Sequence, residues 1–140
     1  MMRNKILEYA KSQELSAQET GGGAYDISFD AKPDFKVTIT VPFFVLEWSL
    51  SVRTRDDNNE IFSDSCEHLG GRDEANLDEK MEEAVINTIK ALNNADIRIT
   101  KTSLFQLFKR RFFKRKILEV KTDAGWVNFW ELAFSTFKND

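Results

Sequence analysis

"YDISFDAKPDFKVTITV", residues 25–41, decides the fold. Tyr25, Ile27 and Phe29 alternate with Asp26, Ser28 and Asp30. After the turn "AKPD", Phe35, Val37, Ile39 and Val41 alternate with Lys36, Thr38 and Thr40. A period of two puts the apolar set on one face of a strand and the polar set on the other. Two such runs around a Pro-Asp turn predict a β-hairpin.

Working outward, "FFVLEWSLSVRTR" (43–55) continues the alternation. Phe44, Leu46, Trp48, Leu50 and Val52 share one side, and Glu47, Ser49, Ser51, Arg53 and Arg55 share the other. Pro42 interrupts the ladder because it has no N–H to donate. "DDNN" (56–59) makes a turn and "EIFSDS" (60–65) returns as a fourth strand. Residues 24–65 therefore read as an antiparallel meander with one buried and one polar face.

The flanks are helical. Residues 74–93 form a long amphipathic helix, because Leu77, Met81, Val85, Ile89 and Leu92 recur at three- and four-residue spacing. Asp73, Glu74, Asp78 and Glu79 suit its positive N-terminal end, and Asn93 and Asn94 suit a left-handed cap. Residues 1–20 hold a short N-terminal helix, with Ile6, Leu7 and Ala10 on one side, leading to a Gly-rich hinge at Gly21–Gly23.

The remainder, 96–140, is a basic strand/helix segment. "DIRITKT" reads as a short strand. Ser103 and Gln106 then have capping-box spacing, with Leu104, Phe105, Phe108 and Phe112 on one helical side. "KRKILEVKT" (114–122) reads as a strand. In "WVNFWELAFSTFK" (126–138) the polar residues fall on one helical face, which predicts a C-terminal helix; the alternative is a hairpin with 114–121. The expected fold is α+β and a single domain over 1–140. It comprises an antiparallel β-meander of four to six strands, with the long helix and a C-terminal helix packed on one face.

Composition sets the class. The chain is 41% hydrophobic and 31% charged with 12 Phe and 3 Trp, enough apolar material for a sizeable core. No apolar run approaches the ~20 residues that span a bilayer. The N-terminus lacks the apolar stretch of a secretory signal, and the lone Cys66 has no partner for an internal disulfide. Both favour a cytoplasmic location. The net charge of −3 hides an asymmetry. Residues 1–95 carry 10 cations against 18 carboxylates, and residues 96–140 carry 10 against 5.

The densest charge lies in "FQLFKRRFFKRK" (105–116). Lys109, Arg110, Arg111, Lys114, Arg115 and Lys116 surround Phe112 and Phe113. Cations for phosphates and aromatics for bases are the parts of a nucleic-acid surface, and the same mixture suits an anionic membrane. A pI of about 5.3 sits below that of a dedicated nucleic-acid binder. The favoured expectation is a non-enzymatic binding domain. Its partner is a protein or a second copy of the chain, docked on this segment or on the polar sheet face; a nucleic acid or anionic surface is the alternative.

Catalytic motifs are sparse. Cys66 and His68 stand two apart, as a thiolate and its imidazole base would in an extended segment, and this pair is the one enzymatic candidate. A metal site needs further Cys or His ligands, and no cofactor or metal is expected. Asp56, Asn58 and Glu60 open like a calcium loop, but Ile61 stands where glycine is required. "GGRDE" (70–74) lacks the Lys-Ser/Thr ending of a phosphate loop. Glu79, Glu82 and Glu83 are expected to form a solvated helix face.

Overall fold

The computed structural model describes residues 4–42, 47–66, 77–106 and 111–130; for Asn4, Cys66, Leu77, Asp78, 101–106 and 111–115 the description is of the backbone alone. Helix α1 spans Asn4–Ser12 and is followed by strand β1, Ser16–Glu19. The meander is β2 (Tyr25–Ala31), β3 (Phe35–Val41), β4 (Trp48–Thr54) and β5 (Glu60–Cys66). Helix α2 spans Leu77–Leu92, and β6 (Ile97–Gln106), β7 (Arg111–Thr122) and β8 (Gly125–Asn128) follow.

The class is α+β, built on two antiparallel sheets. One has the order β1-β2-β3-β4-β5 and the other β6-β7-β8. The alternation at 25–41 does what its period requires. Ile27, Phe29, Val37, Ile39, Leu50 and Val52 are buried, and Val37 lies opposite both Phe29 and Val52. Burying each such side chain is worth about 1.5–3 kcal/mol relative to exposure.

Helix α2 lays Met81, Val85, Ile89 and Leu92 into the same core, which Ile6 and Ala10 of α1 also enter. Asn94 ends α2 in the left-handed conformation at φ 57° and donates its amide to the Asp30 carbonyl at 2.9 Å. The second sheet contributes Ile97, Leu118 and Val120. It meets the first through Lys32, whose amide donates to Ala95 at 2.7 Å and whose carbonyl accepts from Ile97 at 3.0 Å.

Several expectations change. The N-terminal segment carries β1 beyond its helix: Ser16–Glu19 pairs with β2, Ser16 opposite Ser28. All four β1 residues are exposed, so backbone pairing holds the strand without an apolar pattern. The helix read from Ser103 and Gln106 is instead the distal half of β6. Its ten residues pair one by one with β7, and the ladder's backbone bonds displace the weaker capping pattern. Gly125–Asn128 forms a hairpin with β7, as the alternative reading had it, and is not the start of a helix. Helical geometry begins only at Phe129 and Trp130, where the Asn128 side chain accepts the Trp130 amide at 3.0 Å. The rest of the expected C-terminal helix lies outside the described residues, as do 74–76 of the long one. Among the described residues no helix is long and apolar enough to cross a membrane.

Candidate functional site

The described part of the basic segment is a β-ribbon. Strands β6 and β7 run antiparallel, with Ile99 opposite Leu118 at the core end and Gln106 opposite Arg111 at the far end. Strand β8 pairs with β7 only over Glu119–Thr122. Beyond that point the described ribbon has two strands. The register sets Lys101 opposite Lys116, Thr102 opposite Arg115 and Ser103 opposite Lys114. Residues 101–116 contain Lys101, Lys109, Arg110, Arg111, Lys114, Arg115 and Lys116, and no Asp or Glu.

Of the expected site residues, Arg111, Lys114, Arg115 and Lys116 thus share β7, while Lys109 and Arg110 lie outside the described residues. Lys116 is exposed, and its Nζ donates to the Ile61 carbonyl at 3.0 Å. That carbonyl belongs to a β-bulge. Phe62 pairs with Val52 and Glu60 with Arg53, which leaves Ile61 as the extra residue. Lys116 therefore anchors the base of the ribbon to the edge of the first sheet.

Cys66 ends β5 opposite Trp48, and His68 lies outside the described residues. The neighbouring side chains are aromatic. Trp48 and Trp130 have ring centroids 5.5 Å apart, Phe129 and Trp130 4.2 Å, and Phe62 and Phe129 meet edge to face at 6.3 Å. Trp130 Nε1 donates to Asp64 Oδ2 at 2.8 Å. This is apolar packing tied to β5 by a polar contact. Among the described residues no group of three or more His, Cys, Asp or Glu is placed to hold a metal ion.

The solvent face of the first sheet carries short polar side chains in register. One row reads Ser16, Ser28, Thr38, Ser51 and Ser63 across the five strands. The next reads Gln18, Asp26, Thr40, Ser49 and Ser65. Thr40 donates to Asp26 at 2.7 Å, and Ser28 and Thr38 are hydrogen-bonded at 3.1 Å. Two adjoining open depressions of about 500 and 530 Å³ lie over these rows and share Thr40 and Ser51. The sequence signal was visible as Thr-x-Thr at 38–40 and Ser-x-Ser at 49–51 and 63–65. Its meaning depends on strand register, which a single strand does not carry.

The ionisable groups with shifted behaviour lie elsewhere. At the turn between β4 and β5, a bond from Thr54 and the Asn59 amide (3.2 Å) hold the Asp57 carboxyl below its ordinary value. Asp56 is pushed up, first by its hydrogen bond with Asp34 and then by that residue's charge. Glu82 corrects an expectation. It is not on a solvated face but 5% exposed, and burial pushes its carboxyl up, opposed by the charge and amide of Lys5. Glu79 and Glu83 are exposed.

Searches against protein-family models, curated proteins and solved structures find no match to this chain.

Proposed function

We propose that this chain is a non-enzymatic binding domain of the cytoplasm whose basic β6–β7 ribbon docks on an acidic protein surface. One observation supports the reading: among the described residues the pairing register sets Lys101, Arg111, Lys114, Arg115 and Lys116 on one two-stranded element, in a stretch, 101–116, that contains no carboxylate. Opposed charges steer association and set its salt dependence. The acidic residues within 1–95 make a second copy of the chain one admissible partner.

Polyglutamate is a suitable probe. The full chain binds it at low salt, binding weakens as ionic strength rises, and Lys114→Glu with Arg115→Glu abolishes it without lowering thermal stability. Absence of binding at low salt, or indifference to the double reversal, overturns the reading.

A two-stranded β-ribbon also fits the DNA major groove, which supports a nucleic acid as the second reading. If about four phosphates are neutralised, log K falls with log salt at a slope of roughly −3 to −4. Binding to a DNA duplex in preference to polyglutamate would move the assignment there.

A further inference from the structure

The polar face of the first sheet has features that ordinary solvation does not require. Serine is not among the residues enriched in strands, where Thr and Val serve better. Yet Ser49 and Ser51 on β4 stand opposite Ser65 and Ser63 on β5. Their four hydroxyls form no hydrogen bond within the described residues, whereas the neighbouring Thr40 is bonded to Asp26 and Thr38 to Ser28. The short side chains make a trough floor crossing the strands, with neighbouring positions of a row about 4.8 Å apart from strand to strand. Longer side chains, Lys36 and Arg53, stand in register along one side, with Arg53 held to Glu60 at 3.7 Å.

The occupant follows from this chemistry. Hydroxyls both donate and accept, so they match a ligand whose own groups do both. The charges around the floor are nearly balanced and partly engaged with each other, so they provide no field for a polyion. The depressions, about 500 and 530 Å³, are side by side, which suits an elongated ligand over a compact one. The strand spacing is comparable to one pyranose unit of a linear glycan. We propose that this trough binds a linear, uncharged oligosaccharide lying across β3, β4 and β5. With hydrogen bonds and little apolar burial, the affinity falls near the millimolar range.

An amide NMR titration of the full chain with maltohexaose, cellohexaose and xylohexaose tests this. At least one of them shifts Thr38, Thr40, Ser49 and Ser51 saturably, with a dissociation constant of about 1 mM. Ser51→Lys, which places a long charged chain on the floor, weakens binding by at least about tenfold at unchanged thermal stability. Ser63→Lys, at the exposed sheet edge, does the same and stands in if Ser51→Lys fails to fold. The proposal is overturned if none of the three sugars moves these resonances at about 20 mM, or if shifts fall on β6 and β7 instead. It is equally overturned if both lysine variants bind as the parent does, or if sedimentation shows the face buried in a dimer that Ser51→Lys dissolves.

Discussion

Lys116 Nζ lies 3.0 Å from the Ile61 carbonyl, so one residue of the basic segment is bound to the protein's own backbone. The bulge frees the carbonyl from the β4–β5 ladder, and the lysine supplies the bond that the ladder does not. The contact fixes where the ribbon leaves the first sheet.

Lys116→Met keeps the aliphatic stem and removes the donor. It lowers unfolding free energy by about 1 kcal/mol, below the usual value for a charged donor because the side chain is exposed. Urea titration reads the change, and an unchanged midpoint would mean that water replaces the bond at no loss.

Trp130 ties its aromatic cluster to β5 through Nε1 and Asp64 Oδ2. Trp130→Phe retains a ring against Trp48 and Phe129 but leaves the carboxylate without that donor. The expected cost is about 1.5–3 kcal/mol, and Asp64→Asn, which preserves an acceptor, costs less. A Trp130→Phe loss well below about 1 kcal/mol in chemical denaturation would show that packing alone holds the cluster.

Glu82 is buried with Oε2 lacking a hydrogen-bond partner among the described residues. Its folded pKa stands above the ordinary 4.5, so folding takes up a proton between the two values. The stability it contributes is whole below the unfolded pKa and declines as pH rises through the folded one. Glu82→Gln removes the buried charge while keeping an oxygen for the Lys5 amide. The variant melts higher than the parent at pH 7, and the difference closes toward pH 4. A gap that stays constant with pH would count against a titrating Glu82.

Asp57 and Asp56 diverge although they are adjacent and exposed. Asp57 is favoured as the anion, so its contribution is present above the ordinary 3.8 and fades as pH falls through its depressed folded value. Asp56 moves the opposite way because Asp34 faces it. In a carboxyl-carbon NMR titration, Thr54→Val brings Asp57 up toward 3.8 and Asp34→Asn brings Asp56 down toward it. A Thr54→Val chain with an unmoved Asp57 would assign the shift to the backbone alone.

What the sequence by itself determined is the meander and its buried face. Ile27, Phe29, Val37, Ile39, Leu50 and Val52 occur at a period that only a half-buried strand satisfies, and Met81, Val85, Ile89 and Leu92 at one that only a helix does. These patterns are local. The tertiary structure decided the rest, because the deciding contacts join distant positions. Residues 103–106 carry a capping-box spacing, yet ten paired positions with β7 make them strand. Ser16–Glu19 has no apolar alternation and becomes a strand because β2 offers an open edge. Glu82 is buried because α1 packs beside it, not because of anything in its own helix. The hydroxyl rows exist only across strands: each strand contributes one or two short polar residues, and the register alone turns them into a surface.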